Sequence, residues 1–503
     1  MIDIDAPDFS IGVIGAGAMG RGIAQIAAAA GIPVLLYDER RPACEDAVRF
    51  VDGMFKRAAE KNQMTADAAL AATQRIKIAE SLEGLASAKL VIEAVVEDLA
   101  VKQALFGRLE SIVAPGCVLA SNTSSLSITA IAAACKKPDR VAGYHFFNPV
   151  PLMKLVEVVA APLTDPAVPD ALTRLAKKLG HTPVNAQDTP GFIVNHAGRG
   201  LYTEGMRIHA EGVADFATID RILREACGFR MGPFELMDTT GLDVSGPVSE
   251  SIYRQYYEEP RVRPAAFMRP RIAAGLLGRK AGRGFYAYDG AKKIEPPEPA
   301  VPAARAEAVW IGSGDAAIRP VVEAAGVALD RGNTPGANSL CIVTPLGEDA
   351  TTAALAAALD PHRTVAVDTL FGLDGRRTIM TTPATEAKFR DQAHALFAHG
   401  GKPVSVIRDS AGFVAQRTIA AIVNIAADMA QQRIATPADI DAAVRIGLAY
   451  PKGPLAWGDA LGPARILQIL EAMLAATGDP RYRPSPWLKR RAQLGMSLTT
   501  TEA

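Results

Sequence analysis

The chain has 503 residues, and its 54 Lys and Arg balance its 54 Asp and Glu. This length exceeds what one hydrophobic core supports, so several folding units are expected. The apolar content of 49% excludes wholesale disorder, and the lack of an apolar run near twenty residues excludes a spanning helix. Without a basic stripe interleaved with aromatics, nothing indicates a nucleic-acid partner.

The cysteines and the N-terminal residues bear on metal binding and location. The cysteines lie far apart, with no CxxC pair and no histidine at ligand spacing, so we predict reduced, mostly buried thiols and no metal site. They are Cys44, Cys117, Cys135, Cys227 and Cys341. Residues 1–10, MIDIDAPDFS, carry acids where a secretory or transit peptide carries bases. We therefore expect a cytoplasmic protein without a membrane partner.

Residues 11–38, IGVIGAGAMGRGIAQIAAAAGIPVLLYD, form the first pattern with chemical meaning. An apolar strand, a glycine-rich turn, an Ala-rich helix and a second strand ending in an acid make up a dinucleotide-binding βαβ fingerprint. The glycines allow a tight turn, close approach of a pyrophosphate and close packing of helix on strand, and the helix start offers N–H groups to phosphates. The predicted cofactor positions are Gly15, Gly17, Ala18, Met19 and Gly20.

Asp38 ends this fingerprint and bears on the choice of dinucleotide. A carboxylate there accepts hydrogen bonds from the ribose hydroxyls and repels a 2′-phosphate, which favours NAD over NADP. Arg40 and Arg41 follow immediately and would suit the extra phosphate, so NADP remains the alternative. A doubly wound domain without any cofactor is the purely structural alternative.

Two further predicted strands are each followed by polar side chains. KLVIEAVVED (89–98) and CVLASNTSSLSI (117–128) read as strands, and ligands of open α/β sheets bind beyond the carboxyl ends of strands. Glu97, Ser124 and His145 are therefore expected to face one crevice.

GYHFFNPVPLMKLVEV, residues 143–158, is apolar apart from a few polar side chains, among them His145, Asn148 and Glu157. Buried polar groups cost free energy unless they are satisfied, so these side chains either satisfy one another or act on a ligand. A core histidine and a surface glutamate with structural roles are the ordinary alternative.

Seven blocks between residues 11 and 288 resemble the NAD-dependent L-3-hydroxyacyl-CoA dehydrogenase family, in the order in which that family has them. They are GAGAMG (15–20), EAVVEDLAVK (93–102), SNTSSL (121–126), HFFNPVPLMKLVEV (145–158), DTPGFIVN (188–195), MGPFELMDTTGLD (231–243) and GRKAGRGFY (278–286). The resemblance implies an acyl-CoA substrate and NAD as the cofactor.

The resemblance also implies roles for individual residues. The family's HFFNP histidine takes the proton of the substrate's 3-hydroxyl while hydride leaves C3 for the nicotinamide, and this is His145 here. Glu157 would hold the other ring nitrogen, as the carboxylate does in serine hydrolases. Ser124 would contact the substrate oxygen and the cofactor, and Asn195 would stand opposite Ser124 across the substrate.

The remaining carried-over residues concern the cofactor and CoA. Asn148 would lie near the nicotinamide, Glu97 and Lys102 beside its ribose, and Lys280 would reach the cofactor from the next domain. Lys61 aligns with a family lysine that meets the CoA phosphates, although a solvated helix face explains Lys61 equally well.

The chain repeats itself after a linker, because DSAGFVAQ (409–416) echoes DTPGFIVN, and the GPLAWGDALG block echoes GPFELMDTTG at the same offset of 221 residues. The predicted fold class is α/β, with a Rossmann-type domain, an all-helical domain, a shortened Rossmann-like domain and a second helical domain. Their predicted ranges are 1–185 for NAD binding, 186–288 for the first helical domain, 289–308 for the linker, 309–400 for the degenerate Rossmann-like domain and 401–503 for the second helical domain.

The second half lacks the sequence motifs of a dinucleotide-binding and catalytic site. AVWIGSGDAAI (308–318) contains one GxG but no third glycine, and no HFFNP block follows. At the offset of 221, His145 falls on Ala366, Glu157 on Thr378 and Asn195 on Gln416. We therefore predict a scaffold, in which residues 401–503 pack on residues 186–288 as an internal pseudo-dimer; a homo-oligomer of whole chains is also possible.

Chain length and the degenerate second half most resemble the bacterial 3-hydroxyadipyl-CoA dehydrogenases of phenylacetate breakdown. This implies a dicarboxylic acyl-CoA, for which Arg199 or Arg230 would serve the ω-carboxylate. A 3-hydroxybutyryl-CoA dehydrogenase is the alternative enzyme. A non-catalytic NAD-binding structural protein is the alternative of another class, and retention of the polar set argues against it.

Overall fold

The computed structural model describes residues 2–312 and 316–502. Its contacts divide the chain into two compact units, one formed by residues 1–196 and 432–448, the other by residues 197–431 and 449–503. Within the described ranges, helices are too short or too polar to cross a membrane. The five cysteines are free and four of them are buried, as predicted.

The first unit is built on an eight-stranded sheet. Its strands are β1 (Ile11–Ile14), β2 (Val34–Tyr37), β3 (Ile76–Ile78), β4 (Leu90–Glu93), β5 (Val118–Ser121), β6 (Val141–Phe146), β7 (Leu155–Ala160) and β8 (Thr182–Gln187). Its helices up to residue 197 are α1 (Ala18–Ala29), α2 (Arg41–Glu60), α3 (Ala66–Gln74), α4 (Leu99–Ile112), α5 (Ile128–Ala132), α6 (Ala167–Lys178) and α7 (Val194–Ala197).

The strand order β3-β2-β1-β4-β5-β6-β7-β8 begins as a doubly wound dinucleotide fold. Neighbouring strands are parallel except β6 and β7. β1, β4 and β5 are buried along their whole length, as strands covered by helices on both faces must be. The carboxyl ends of these parallel strands meet at one edge, where the polar residues of the fingerprint and of the SNTSS loop lie.

The second unit contains another sheet and most of the remaining helices. Its first helices are α8 (Arg199–Ala210), α9 (Phe216–Glu225), α10 (Pro233–Thr240), α11 (Leu242–Gln255) and α12 (Met268–Ala273), followed by a hairpin of β9 (Ala287–Asp289) and β10 (Lys292–Ile294). The next elements are β11 (Ala308–Ile311), α13 (Arg319–Ala324), β12 (Ala328–Asp330), β13 (Ser339–Val343), α14 (Ala350–Ala356), β14 (Thr364–Val367), β15 (Arg377–Thr381), α15 (Ala387–Phe397) and β16 (Val404–Ile407). The last helices are α16 (Val414–Gln431), α17 (Pro437–Gly447), α18 (Pro454–Leu461), α19 (Pro463–Thr477) and α20 (Pro486–Leu494).

α17 is the exception, because it belongs to the first unit. It packs on β7 and β8, and the Gln187 N–H at the end of β8 donates to the Ile434 carbonyl oxygen at 2.8 Å. β8 is the edge strand of its sheet, so this segment covers an edge that would otherwise expose backbone groups. The predicted second helical domain, residues 401–503, is therefore divided between the two units.

The second sheet has the order β12-β11-β13-β14-β15-β16 and confirms the shortened Rossmann-like half. β13 corresponds to β5, because each leads to a short helix whose first N–H is held by an aspartate after the last strand: Asp188 holds Ile128, and Asp409 holds Ala350. β13 nevertheless lies directly beside β11, the counterpart of β1. The second half has therefore lost the counterparts of β3 and of the β4–α4 unit. The GxG of the second half extends to Gly314, which is outside the described residues.

Strand pairing corrects the expected counterpart of His145. His145 lies opposite Glu157 in the β6–β7 pair. In the second sheet the residue that meets Thr378, the counterpart of Glu157, is Asp368, whose N–H donates to the Thr378 carbonyl oxygen at 3.0 Å. Ala366 pairs instead with Met380. The offset of 221 fails here because the two halves differ in loop length between the strands.

The predicted linker 289–308 is partly structured. β10 lies within it, and the acids that follow are held by arginines of the second unit. Arg376 pairs with Glu298 at 2.6 Å, and Arg224 pairs with Glu295 at 3.1 Å. The charged residues that predicted a linker here instead form ion pairs. These pairs fix the segment after β10 to α9 and to the start of β15.

Candidate active site

The loop between β1 and α1 has the geometry that its glycines predict. Gly15 has φ +95°, and a Cβ there would lie 2.5 Å from a carbonyl oxygen of the loop after β4. A Cβ on Gly20 would lie 1.7 Å from the Gly15 oxygen, so only glycine fits at both positions. Open space surrounds Gly17, the N-cap of α1, and Ala18 and Met19 form the first turn. A phosphate group fits at this helix start.

Asp38 anchors the glycine loop and borders a cavity. Its carboxylate accepts from the N–H of Ala16 at 2.9 Å and of Arg40 at 3.0 Å. The cavity has a volume of about 650 Å³. Its lining includes Gly15, Gly17, Asp38, Arg40, Val95 and Leu105. Arg41 is engaged by Glu45 and Glu80, and the Arg40 side chain is 82% exposed. The residues present therefore fit a dinucleotide whose ribose reaches Asp38 without a 2′-phosphate.

A buried ion pair supports the loop after β4. The Lys102 side chain is 1% exposed, and its ammonium lies 2.5 Å from Glu93 and 3.4 Å from Glu97. Glu93, at the end of β4, also accepts from the Ser121 hydroxyl at 2.6 Å. Lys102, predicted beside the cofactor ribose, is thus a buried partner of two acids. Glu97 is the most exposed of the three side chains in this ion-paired cluster.

Glu97 accepts several hydrogen bonds from the SNTSS loop. Its Oε1 accepts from the Thr123 hydroxyl at 2.7 Å and from the N–H groups of Ser124 and Ser125 at 3.0 and 3.2 Å. Burial alone would raise the pKa of Glu97, yet the Thr123 hydrogen bond, the Lys102 charge, the Ser124 N–H and the Ser125 side chain lower this pKa below its ordinary value. Glu97 is therefore a carboxylate that fixes the loop carrying Ser124.

His145 and Glu157 form a buried pair across β6 and β7. The His145 Nδ1 lies 2.6 Å from the Glu157 Oε2, and the two residues are 5% and 0% exposed. The other carboxylate oxygen accepts from the N–H groups of Ile193 and Val194 at 3.0 and 2.8 Å, at the start of α7. A carboxylate at this distance suits the tautomer with its proton on Nδ1, in which the neutral ring carries no proton on Nε2.

Ser124 and Asn195 lie close together, and both belong to the first unit. The Asn195 side-chain amide donates to the Ser124 carbonyl oxygen at 3.2 Å. Asn148 follows β6 and is exposed. Glu157 holds the start of the helix that carries Asn195, through the Ile193 and Val194 N–H groups.

The two remaining lysines predicted for the site have the following surroundings. Lys280 belongs to the second unit, where its ammonium pairs with Asp243 at 2.5 Å. Lys61 is an exposed residue at the end of α2. A groove of about 810 Å³ between α2 and α3 begins beside it, with Lys56 and Met64 in its lining.

The motifs predict roles for Glu97 and Asn195 but not for Glu93 and Asp188. Glu93 is the one acid in an otherwise apolar buried strand, which was a usable signal. The Asp188 carboxylate accepts from the Ser127 hydroxyl and from the Ile128 and Thr129 N–H groups at 2.7–2.9 Å, thereby tying the start of α5 to the end of β8. Its role was hidden because its partners lie about sixty residues away.

Family models match most of the chain. The model of the 3-hydroxyacyl-CoA dehydrogenase NAD binding domain matches residues 10–189. The model of the 3-hydroxyacyl-CoA dehydrogenase C-terminal domain matches residues 191–288 and, a second time, residues 412–502. The double match agrees with the internal repeat.

Individual relatives agree with these models. The 3-hydroxyadipyl-CoA dehydrogenase of Escherichia coli K12 is 37% identical over 96% of this chain and 98% of its own length. The mitochondrial hydroxyacyl-coenzyme A dehydrogenase of Rattus norvegicus is 41% identical over 55% of this chain and 90% of its own length. A crystal structure of 3-hydroxybutyryl-CoA dehydrogenase from Escherichia coli K12 has a TM-score of 0.85 at 36% identity, covering 97% of this chain and 98% of that one. The chain therefore belongs to the 3-hydroxyacyl-CoA dehydrogenase family and is an NAD-dependent oxidoreductase.

Proposed function

We propose that the chain oxidises an (S)-3-hydroxyacyl-CoA with His145 as general base and Glu157 as the residue that orients it. The supporting observation is the 2.6 Å contact between His145 Nδ1 and a Glu157 carboxylate that is itself 0% exposed and held by two backbone N–H groups. A carboxylate so fixed selects one imidazole tautomer and one ring orientation.

The proton path follows from that tautomer. Bound NAD supplies the acceptor of the hydride that leaves C3 of the substrate. His145 Nε2 takes the proton of the 3-hydroxyl, and the Glu157 carboxylate stabilises the imidazolium that results. In this proposal Ser124 and Asn195 orient the substrate oxygen, which is supported by the Glu97 contact that fixes the Ser124 loop and the Glu157 contact that fixes the start of the Asn195 helix.

A substitution at His145 tests this assignment. His145→Gln should lower kcat by roughly two to four decades, the usual contribution of a positioned base, and leave the Kd for NADH near normal. His181 is a matched control, because it is buried in the same unit and its ring nitrogens lie 3.1 and 2.9 Å from backbone carbonyl oxygens. His181→Gln should retain most of the kcat of correctly folded protein. Full turnover by His145→Gln would show that the proton goes elsewhere.

We further propose 3-hydroxyadipyl-CoA as the substrate. Support comes from the Escherichia coli relative of that name, which matches this chain over 96% of its length. 3-Hydroxybutyryl-CoA is the second candidate, because the solved structure with a TM-score of 0.85 carries that name.

The ratio of kcat/KM for the two acyl-CoA substrates separates these candidates. We expect a preference of about tenfold or more for 3-hydroxyadipyl-CoA, since a site built for a second carboxylate leaves buried donors unpaired when the substrate lacks it. A tenfold preference in the opposite direction would replace the proposed substrate with 3-hydroxybutyryl-CoA.

A further inference from the structure

Glu93, the last residue of β4, is a fully buried acid whose carboxylate accepts from three donors. One oxygen accepts from the Val95 N–H at 2.7 Å and from the Lys102 ammonium at 2.5 Å, and the other accepts from the Ser121 hydroxyl at 2.6 Å. A buried carboxylate is costly unless its partners satisfy it. The contacts to Val95 and Ser121 lie at the carboxyl ends of β4 and β5, which is the edge where ligands of such sheets bind.

The loop after β4 forms part of the wall of the dinucleotide cavity. Val95 and Val96 line this cavity together with Gly15 of the glycine loop. Glu93 fixes the wall through its contact with the Val95 N–H. Glu97 follows Val96 directly, so the placement of this loop also determines the placement of Glu97.

The two carboxylate oxygens of Glu97 have different surroundings. The Oε1 accepts from the Thr123 hydroxyl at 2.7 Å and from the Ser124 and Ser125 N–H groups at 3.0 and 3.2 Å. The Oε2 lies 3.4 Å from the Lys102 ammonium, and the Glu97 side chain is 37% exposed. The Oε2 is therefore the oxygen through which Glu97 can accept a hydrogen bond from a ligand.

Lys102 is shared unequally between the two acids. A charge-assisted N–H···O contact is ordinarily about 2.7–2.9 Å long, so the ammonium is in direct contact with Glu93 at 2.5 Å and is less closely paired with Glu97 at 3.4 Å. The Lys102 side chain is 1% exposed, so water cannot replace a lost partner. Without the charge of Glu93, the ammonium would be drawn onto Glu97, the other carboxylate that it contacts. The Oε2 would then be a weaker acceptor, because the ammonium would neutralise part of its negative charge.

We propose that Glu93 is a positioning residue of the NAD site, whose carboxylate retains the Lys102 ammonium and so keeps the Oε2 of Glu97 available to a hydroxyl of the bound cofactor. This inference rests on the predicted place of Glu97 beside the cofactor ribose. It is independent of the acyl-CoA substrate and of the roles proposed for His145 and Glu157.

The test measures the Kd for NADH of full-length variants, from the fluorescence of bound NADH and without turnover. Glu93→Gln should raise this Kd roughly 3- to 30-fold, since a hydrogen bond to a charged acceptor is weakened. The KM for NAD should rise in parallel while kcat changes less than about threefold, which is the pattern of lost ground-state binding. Glu93→Asp keeps the charge but withdraws it by one methylene, so its Kd should rise in the same direction. This variant carries the test if Glu93→Gln does not fold.

A double variant separates positioning from general structural support. Glu93→Gln combined with Lys102→Met removes the ammonium that would otherwise pair with Glu97. The Kd for NADH should therefore return to within about threefold of the wild-type value, which is a coupling between the two sites. The double variant should also be more stable than Glu93→Gln alone, because replacing both members of a buried ion pair is tolerated better than removing one.

Glu110→Gln is the matched control. Glu110 lies on the same helix, α4, its side chain is 12% exposed, and it accepts from the Lys136 and Lys137 N–H groups at 2.6 and 2.7 Å. It is in the last turn of α4, before β5 begins, and so lies at the edge of the sheet opposite the glycine loop. Glu110→Gln should lower the Tm and leave the Kd for NADH unchanged.

Three outcomes would overturn the inference. The first is a wild-type Kd for NADH in folded Glu93→Gln or Glu93→Asp. The second is a double variant that binds NADH as weakly as Glu93→Gln, because the loss would then come from damaged structure and not from Lys102. The third is a Glu97→Gln variant that binds NADH like the wild type, since Glu97 would then not meet the cofactor. These results concern the Kd for NADH, whereas the proposed base is tested through kcat in His145→Gln, so the two proposals can fail separately.

Discussion

At the scale of single residues, Asp38 combines two functions. Its carboxylate accepts from the Ala16 N–H, which holds the glycine loop in place, and it borders the cavity that fits the dinucleotide ribose. The two arginines that follow differ in availability. Arg41 is bound by Glu45 and Glu80, whereas the Arg40 side chain is mostly exposed. Asp38 is therefore better placed than Arg40 or Arg41 to determine which dinucleotide binds, in agreement with NAD as the cofactor.

Asp38→Gly should relax the preference for NAD over NADP. The change removes the acceptor for the ribose hydroxyls and the repulsion of a 2′-phosphate, so the ratio of kcat/KM for NADP to that for NAD should rise by about tenfold or more. Steady-state kinetics with both cofactors give the ratio. Arg41→Ala is the control and should leave it unchanged, because that arginine is engaged by acids. An unchanged ratio in Asp38→Gly would assign the discrimination to other residues.

At the scale of secondary-structure elements, the close approach of α8 and α16 depends on one glycine. A Cβ at Gly200 on α8 would lie 2.8 Å from the Cα of Ile422 on α16. Near this crossing Arg417 is 3% exposed and bonds Glu204 at 2.7 Å, and Glu204 is itself 2% exposed. A buried pair of this kind depends on correct placement of both helices, since either charge left alone would be strongly destabilising.

Gly200→Ala should lower the free energy of unfolding by roughly 1–3 kcal/mol, because the added methyl meets backbone rather than a side chain that can move. Gly53 on α2 is the matched control, since no atom lies within 4 Å of a Cβ placed there. Gly53→Ala should stabilise by about 0.5–1 kcal/mol through helix propensity. Thermal and urea unfolding of both variants measure the difference. A Gly200→Ala variant as stable as the wild type would contradict the close packing described for this crossing.

The sequence motifs predicted the local features of the site, and tertiary contacts explain the remainder. The glycine turn follows from a short pattern, and the His145–Glu157 pair was expected from the family resemblance; each lies within one supersecondary unit. The motifs did not predict the burial of Lys102, although its partner Glu93 lies only nine residues earlier, at the end of β4. The place of Asp368 opposite Thr378 also escaped prediction, because strand register depends on loop lengths that a constant offset ignores.

At the scale of the whole molecule, the second half repeats the helical elements of the first and has a shorter sheet. Loss of the β4–α4 counterpart removes the positions of Glu93, Glu97 and Lys102 from the second half. Its Asp368 accepts instead from Leu370 and from Gln416, the counterpart of Asn195, at 3.0 Å each. Burial raises the pKa of Asp368. Polar groups at the corresponding place thus bind one another, which supports the prediction that this half is a scaffold.

The helical repeats support the proposal of an internal pseudo-dimer. α8 and α16 occupy equivalent positions in the two matched segments, 191–288 and 412–502, and they pack against each other. The turns at Pro260–Val262 and Pro480–Tyr482 also correspond and also meet, where Arg261 donates to the Arg483 carbonyl oxygen at 2.9 Å. Contacts between equivalent elements are the hallmark of a twofold interface.

Truncation after residue 290 should therefore expose an interface rather than release an independent enzyme. Without α16 the buried Glu204 loses Arg417, and the face of α8 around Gly200 is uncovered. We expect the truncated chain to aggregate or to associate in pairs through that face, with reduced kcat per chain, and light scattering after size-exclusion chromatography reports which. Arg417→Met in the full chain removes the ion pair with Glu204 but keeps α16 over α8. This variant should therefore have a lower Tm and an unchanged oligomeric state. An exposed apolar face and an unpaired acid are incompatible with a soluble, fully active monomer. A truncated chain that stays soluble, monomeric and fully active would therefore show that the second half does not cover α8.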